Sequence, residues 1–224
     1  MISKSVAKIK YVVDVSKTLV QQRLTRITLP SEPHFDEKTQ LFFLDRLPKS
    51  QSYLEFGSGG STMMAARLGI PTISIESDRR YATHILKTLG PMSSVKLLHA
   101  DIGWTRDWGQ PIFRNPTASR VSLWRNYVQT ALNNLQAVEF PDFVLVDGRF
   151  RQSCALHIAD AAILRNTKCD ILFDDYADRT FYHTVENFLG KPELIGRSAL
   201  FKVNPNNNNR IPENALAQSN ADPR

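Results

Sequence analysis

The stretch from residue 53 to residue 62 reads YLEFGSGGST and decides the fold. Four residues typical of a short buried strand run into a turn of three glycines and a serine, and Ser61 and Thr62 then open a helix. Glycine has no Cβ, so this backbone can turn sharply and come close to a ligand. The helix that follows offers unpaired N–H groups at its start. Because many α/β folds use such a turn, the motif alone indicates a fold class and no particular ligand.

Strands and helices alternate outward from this stretch. Further strands are predicted at 71–76, 95–100, 143–148 and 169–173, with helices at 36–47, 61–68, 78–89, 118–135, 152–166 and 179–189. The alternation predicts a parallel sheet with helices on both faces. The last two strands, 193–197 and 199–203, have almost no connection and must pair antiparallel. We expect an α/β fold, a three-layer αβα sandwich whose seven-stranded, mostly parallel sheet ends in a C-terminal antiparallel hairpin.

Residues 50–203 form the predicted domain, and three segments depart from its alternation. Residues 1–49 are predicted to be a helical N-terminal extension, because apolar positions recur at helical spacing between residues 3 and 24. The insert 103–127 carries all three tryptophans and resembles the lids and binding loops of compact domains. Residues 204–224 are polar and rich in asparagine, so we predict a disordered tail.

The charge of the chain is unevenly distributed. It has 224 residues and a formal net charge of +6, most of which belongs to residues 1–26. The remainder offers no basic stripe, so we expect no nucleic-acid partner, whereas the basic N-terminal helix leaves contact with a membrane surface open.

No apolar run is long enough to span a bilayer, and no secretory signal is recognisable. Two cysteines, each in an apolar run, favour a reducing cytoplasm.

Acidic residues follow the second and third predicted strands. In an open parallel sheet, ligands bind at the carboxyl ends of the strands. Glu76 follows Glu55 by 21 positions, a distance at which an acid can accept hydrogen bonds from both hydroxyls of a ribose. Asp101 closes the third strand, where its carboxylate can hold an adenine amino group with Ile102 against the ring. These residues predict a nucleoside site beside the glycine turn.

The Glu-x-Gly-x-Gly-Gly turn, Glu76, Asp101 and the closing hairpin together resemble the class I S-adenosylmethionine-dependent methyltransferases. The resemblance covers residues 50–203, and Ser61 stands where the family has a third glycine. It implies that the turn binds the methionine end of the cofactor, Glu76 the ribose and Asp101 the adenine. The cofactor-binding residues implied in the turn are Glu55, Gly57, Ser58 and Gly59.

Three aspartates follow the fourth and fifth predicted strands: Asp147, Asp174 and Asp175. Neighbouring strands lie about 4.8 Å apart, so these carboxylates converge. They repel one another unless a proton or a cation neutralises them, and oxygen ligands of this kind favour Mg²⁺. The arrangement resembles the metal-dependent O-methyltransferases of the catechol and antibiotic-sugar types, and is closer to the sugar type. This resemblance implies that the three aspartates are catalytic metal ligands and that Mg²⁺ lowers the pKa of an acceptor hydroxyl.

Two arginines, Arg149 and Arg151, follow where the catechol type carries a lysine. Arginine stays protonated and is a poor base. Either the metal alone lowers the pKa of the hydroxyl, or an aspartate or a histidine (His157 or His183) accepts its proton. Cations are disfavoured at a helix start, which favours a fork for a carboxylate or phosphate of the acceptor. The predicted substrate-binding residues are Arg149, Arg151 and Trp108.

The stretch DGRFR at 147–151 also resembles a group of uncharacterised bacterial methyltransferase-like proteins. We therefore predict an S-adenosylmethionine-dependent methyltransferase (EC 2.1.1.-) that methylates an oxygen of a small polar acceptor such as a sugar, with Mg²⁺ assistance left open. Two alternatives stay open. The domain binds the cofactor without transferring a methyl group, or the chain is a nucleic-acid or membrane-surface protein that uses its basic N-terminal helix.

Overall fold

A seven-stranded sheet organises the computed structural model, which describes residues 15–16, 27–91, 93–136 and 138–224. The strands are β1 (Tyr53–Phe56), β2 (Thr72–Glu76), β3 (Val95–His99), β4 (Thr105–Arg106), β5 (Gln110–Pro111), β6 (Phe143–Val146), β7 (Cys169–Phe173), β8 (Glu193–Ile195) and β9 (Ser198–Val203). The main sheet has the order β3-β2-β1-β6-β7-β9-β8, and β4 pairs with β5 in a separate ribbon. The predicted αβα sandwich with its closing hairpin is confirmed.

The carboxyl ends of five strands lie along one edge of this sheet. β3, β2, β1, β6 and β7 pair in parallel, whereas β9 and β8 run antiparallel beside β7. The chain moves from β1 outward to β3 and then returns to β6 on the other side of β1. This reversal creates a crevice between the ends of β1 and β6, where α/β sheets bind their ligands.

Helices cover both faces of the sheet, which explains why β1 and β6 are buried at every position. The helices are α1 (Glu37–Arg46), α2 (Gly60–Leu68), α3 (Arg79–Leu89), α4 (Ala118–Trp124), α5 (Asn126–Leu135), α6 (Arg151–Leu164), α7 (Glu186–Leu189) and α8 (Glu213–Ser219). Apolar residues of α1, α2 and α3 pack on one face, and those of α5, α6 and the C-terminal segment pack on the other.

The segment before α1 crosses the start of α2. A Cβ on Gly60 would lie 2.0 Å from the backbone carbonyl of Glu32, so only glycine allows this crossing. The predicted helix between residues 3 and 24 falls almost entirely outside the described residues. Within the described part of the chain, no helix has the length and apolar content needed to cross a membrane.

The insert after β3 is more ordered than a loop. The β4–β5 ribbon encloses a 3₁₀ turn at Asp107–Gly109, and the predicted helix 118–135 is divided at Arg125 into α4 and α5. Trp124 is buried against the core, whereas Trp104 and Trp108 are 62% and 79% exposed on the ribbon. The predicted helix 179–189 is mostly a 3₁₀ helix, in agreement with the low helix propensity of its aromatic and β-branched residues.

Residues 204–224 are folded, so the prediction of a disordered tail is wrong. Asp160 of α6 accepts two hydrogen bonds from the Arg210 guanidinium, at 2.7 and 2.9 Å, and one from the Ile211 N–H at 2.9 Å. Ile211 is buried in the main core, and α8 follows it. The polar, asparagine-rich composition of this segment predicted disorder. A few specific contacts to α6 order it instead, and such contacts leave no periodic signal in a sequence.

Replacing Asp160 with alanine should release this tail. The buried Ile211 N–H loses its acceptor, so we expect the free energy of unfolding to fall by about 1–3 kcal/mol, as measured by urea denaturation. Limited proteolysis should then cut within 204–224. The control Asp45→Ala removes a pair with Lys49 in which both side chains are largely exposed, and should cost less than about 1 kcal/mol. Equal effects of the two variants would contradict the docking.

Candidate functional site

Two glycines meet back to back where β1 and β6 end. Gly57 has φ +95°, and a Cβ there would lie 2.8 Å from the Cα of Gly148. A Cβ on Gly148 would in turn lie 2.1 Å from the Tyr127 hydroxyl oxygen. The glycine turn after β1 therefore lies directly against Asp147 and Gly148 after β6. This contact brings the predicted cofactor turn and the predicted acidic cluster into one site.

Glu55 lies beneath the turn and is fully buried. Its carboxylate accepts hydrogen bonds from four hydroxyls, those of Tyr53, Ser61, Thr62 and Ser74. Burial raises the pKa of this carboxyl, and the hydroxyl donors oppose the rise. Glu55 thus shapes the turn from below, and the structure does not bring its side chain to the surface of the site.

Glu76 lies at the end of β2 beside the same turn. One carboxylate oxygen accepts from the Ser58 N–H at 3.2 Å, and the other accepts from the N–H groups of Ser77 and Asp78 at 2.6 and 2.7 Å. Burial raises the pKa of Glu76 to about 7. The insert covers this carboxylate from above, because the Ser77 hydroxyl donates to the Gly109 carbonyl at 3.1 Å.

The two residues predicted to contact the adenine, Asp101 and Ile102, differ in their exposure to solvent. The exposed Asp101 uses one carboxylate oxygen to accept from the Gly103 N–H at 2.9 Å. Its other oxygen has no hydrogen-bond partner among the described residues, so it can accept from a ligand. Ile102 is 2% exposed and packs in the main core, so the structure does not present its side chain to a ligand.

The turn fits the nucleoside cofactor that the resemblance implies. A Cβ on Gly59 would meet only the Tyr81 hydroxyl oxygen, at 3.7 Å, so the outer side of the turn is open. Glu76 accepts a hydrogen bond from the Ser58 N–H of this turn, and Asp101 follows β3, two strands away from β1. A sulfonium nucleoside needs close backbone approach at one end and acceptors for hydroxyl and amino groups at the other.

The three aspartates converge as the sequence predicts. Carboxylate oxygens of Asp147, Asp174 and Asp175 all lie within 4.8 Å of one another. Asp174 is buried, and the other two are partly exposed. The parallel pairing of β6 with β7 brings these side chains to the same point of the edge.

Three arginines neutralise this acidic cluster. Arg151 contacts Asp147 at 2.9 Å and Asp175 at 3.4 Å, Arg179 contacts Asp175 at 2.7 Å, and Arg197 contacts Asp174 at 2.9 Å and Asp175 at 3.0 Å. The three positive charges balance the three negative ones.

The residues therefore do not fit a divalent cation. Of the six carboxylate oxygens, only Oδ2 of Asp147 lacks a hydrogen-bond or ion-pair partner among the described residues. A metal ion would have to displace guanidinium groups that already supply the positive charge, one of which, on Arg151, is almost fully buried.

The protonation of Asp147 is shifted toward neutral pH. Burial raises the pKa of its carboxyl to about 7, while the Arg151 charge lowers it and the charges of Asp174 and Asp175 raise it further. Its side chain is 36% exposed, so a ligand can reach the free oxygen. A reachable carboxyl that titrates near neutrality suits a proton acceptor in catalysis.

The two arginines after Asp147 have different surroundings. The Arg151 guanidinium donates to the backbone carbonyls of Asp147, Gly148 and Asp174 in addition to its ion pairs. The Arg149 guanidinium forms no ion pair and no side-chain hydrogen bond with any described residue, and its Nε is buried without a partner. Of the two arginines predicted to bind an anion of the acceptor, Arg151 therefore has a structural role, whereas Arg149 is available to a ligand.

The remaining predicted residues lie away from the cluster. Trp108 is at the exposed tip of the β4–β5 ribbon with φ +64°, where its ring extends into solvent. His157 is six residues into α6 and contacts Asn220 of the C-terminal segment, and burial lowers its pKa. His183 stacks on Tyr176 with a centroid distance of 4.8 Å. The contacts found for each histidine are structural ones.

Backbone strain concentrates at the ends of β6 and β7. Phe150 and Asp175 have φ values of +52° and +55°, which are unfavourable for residues with a side chain. Strained residues persist where the surroundings over-determine them, often at functional sites. Here the Arg151 contacts on both strands hold the two turns in place.

Four side chains that build this site were not predicted from the sequence: Tyr127, Arg179, Arg197 and Ser198. Ser198 donates to Asp174 at 2.7 Å, beside Arg197. Both residues reach the cluster because β9 runs antiparallel to β7, with Ala199 opposite Phe173. The sequence does show that a hairpin turn comes before β9 and that β9 is about as long as β7. It does not show which residue of β9 lies opposite which residue of β7, because tertiary packing decides that register.

One solved structure is similar to this chain in both sequence and fold. A methyltransferase-like protein from Silicibacter pomeroyi DSS-3 matches with 33% sequence identity and a TM-score of 0.70, over 87% of this chain and 100% of that chain. The methyltransferase MycE from the mycinamycin biosynthetic pathway, in complex with Mg and SAH, matches with 12% identity and a TM-score of 0.40, over 84% of this chain and 55% of that chain. No protein-family model and no curated protein gives a significant match.

The arginine network should prevent metal binding. We expect Mn²⁺, followed by electron paramagnetic resonance, to show no saturable site in the wild type up to about 1 mM. Arg197→Met removes one neutralising charge from Asp174 and Asp175, so it should lower the free energy of unfolding by about 1–3 kcal/mol and create weak Mn²⁺ affinity. Arg67→Met, at an exposed arginine of α2, is the control. Saturable micromolar Mn²⁺ binding to the wild type that is lost in Asp147→Asn would contradict the network.

Asp147 should titrate near neutral pH. With ¹³C-labelled aspartate, we expect one carboxyl resonance to titrate at about pH 7 and to be missing in Asp147→Asn. The folded pKa lies above the ordinary value of 3.8, so this group contributes most to stability below that value, and the contribution is lost as pH rises through about 7. Asp45→Asn should leave the resonance unchanged. If every aspartate titrates below pH 5, the assignment is wrong.

Proposed function

Since the chain belongs to the methyltransferase-like proteins and has the class I, Rossmann-like methyltransferase fold, we propose that it transfers a methyl group from S-adenosylmethionine to an oxygen of a small polar acceptor. One observation carries the proposal: the glycine turn lies against Asp147 and Gly148 on one side and donates to Glu76 on the other. The methyl-donor end of the cofactor would therefore lie next to Asp147, whose carboxyl has a pKa of about 7.

When bound, the cofactor supplies a methyl group on a sulfonium, which an oxygen nucleophile can attack directly. The backbone at Gly57 and Gly59 would hold its methionine end, Glu76 its ribose and Asp101 its adenine. Asp147 would accept the proton of the attacking hydroxyl through Oδ2, its free oxygen. A base whose pKa lies near the working pH is the most effective one for such a transfer.

The proposal contains no metal-dependent step. The positive charge that Mg²⁺ would bring to Asp147, Asp174 and Asp175 is already supplied by arginine side chains. An oxygen acceptor remains part of the proposal, because a carboxylate base suits a hydroxyl, whose proton must leave. A sugar is one acceptor of this class.

The acceptor is proposed to be a small molecule, with no nucleic acid as partner. Part of the insert lies against Glu76, because the Ser77 hydroxyl donates to the Gly109 carbonyl. Cytoplasmic localisation also remains a proposal. Both cysteines, Cys154 and Cys169, are buried and unpaired, as suits a reducing compartment.

Calorimetry with S-adenosylhomocysteine tests the proposal. The wild type should bind one equivalent, and Glu76→Ala should weaken binding by about 10- to 100-fold, since up to two hydrogen bonds to a carboxylate are lost. Glu76→Gln keeps an acceptor for the backbone N–H groups and should lose less. Glu37→Ala, at an exposed glutamate in the first turn of α1, is the control.

Thermal melts of each variant separate loss of binding from loss of folding. If the wild type does not bind S-adenosylhomocysteine, or if folded Glu76→Ala binds it as tightly as the wild type, the proposed cofactor site is wrong.

A further inference from the structure

Arg149 follows the candidate base by two residues, and its guanidinium has no partner among the residues that the structure describes. Its guanidinium makes no ion pair and no hydrogen bond with the described residues, and the buried Nε has no acceptor. A half-buried charge of this kind destabilises a protein unless a partner compensates it. Arg151, two residues later, shows the alternative, because each of its guanidinium nitrogens donates to a carbonyl or carboxylate.

The backbone fixes the position of Arg149. Gly148, the residue before it, lies against both the glycine turn and the hydroxyl of Tyr127, which is fully buried. Burial and the Arg151 charge lower the pKa of Arg149, and Tyr127, Tyr182 and Asp147, in that order, oppose this. Arg149 follows Asp147 by two residues just after β6, and its side chain is half-buried there.

The charge balance of this edge of the sheet favours an anion. Arg151, Arg179 and Arg197 already neutralise Asp147, Asp174 and Asp175, so Arg149 is a net positive charge even when every aspartate is ionised. If the proposed cofactor is bound, its sulfonium would add a second positive charge to the site. Both charges repel a cationic acceptor and attract an anionic one.

We infer that Arg149 is an oxyanion-binding residue of the acceptor site, so that the methyl acceptor carries a carboxylate or phosphate group beside its reactive hydroxyl. Guanidinium groups bind both oxyanions through two parallel N–H donors, which would give Nε the acceptor it lacks. That the bound anion belongs to the methyl acceptor rests on the proposed function. Anion binding at Arg149 can itself be measured without methyl transfer. Arg149 would thereby select the acceptor and orient its hydroxyl toward Asp147.

The experiment titrates the full-length protein with inorganic phosphate and, separately, with acetate, each with and without saturating S-adenosylhomocysteine. Calorimetry should detect one saturable site for at least one probe, with a Kd on the order of 1 mM. Arg149→Gln should weaken that binding at least tenfold, Arg149→Lys should weaken it less, and Arg67→Gln should leave it unchanged. The probe that binds more tightly identifies the class of oxyanion.

Thermal melting provides a readout that distinguishes binding from a structural role. Without ligand, Arg149→Gln should melt at the wild-type temperature or above, since an uncompensated charge is removed. The preferred probe should raise the melting temperature of the wild type and not that of Arg149→Gln. A variant that melts well below the wild type would show that Arg149 has a structural partner, and would overturn the inference.

The outcomes separate this inference from the proposed function. If neither probe binds the wild type at about ten times the expected Kd, or if Arg149→Gln binds as well as the wild type, the oxyanion site is wrong even where S-adenosylhomocysteine binds. If phosphate or acetate binds through Arg149 and S-adenosylhomocysteine does not bind, the anion site stands and the methyl-transfer proposal fails.

Discussion

The buried guanidinium of Arg151 is the interaction on which the carboxyl edge of the sheet depends. It joins the backbone carbonyls after β6 and β7 and lies between Asp147 and Asp175. Without this charge, carboxylates within 4.8 Å of one another would repel, and the strained turns at Phe150 and Asp175 would lose their support. A cluster that looks like a metal centre in the sequence is thus stabilised by the chain itself.

The negative charges of the acids at this edge are stabilised in three different ways. These differences distinguish acids with a structural role from acids that can bind a ligand. Hydroxyls surround Glu55, which is fully buried, and backbone N–H groups hold Glu76. Arginines neutralise the aspartate cluster but leave one oxygen of Asp147 free. Burial raises the pKa of Glu76, at the end of β2, and of Asp147, just after β6, to about 7 at the edge of the sheet where a ligand of this fold would lie.

Much of this architecture could be predicted because it follows from local periodicity and from glycine. Alternating apolar strands and amphipathic helices require a covered parallel sheet, and the turn 57–60 requires close backbone approach. The convergence of Asp147 with Asp174 followed from strand spacing alone. The order of the tail could not be predicted, because it depends on three hydrogen bonds to Asp160 from residues about 50 positions away.

The sequence by itself determined the fold, the edge of the sheet that carries the site and the acids that meet there, since each depends on short-range pattern and on the constant spacing of strands. Only the tertiary structure decided what neutralises those acids and which of the two arginines after Asp147 lacks a partner in the described part of the chain. Arg197 reaches Asp174 because β9 pairs antiparallel to β7 in a particular register, and Arg149 and Arg151 diverge because the helix begins between them. Charge balance is a property of distances between remote residues, and a linear sequence does not contain those distances.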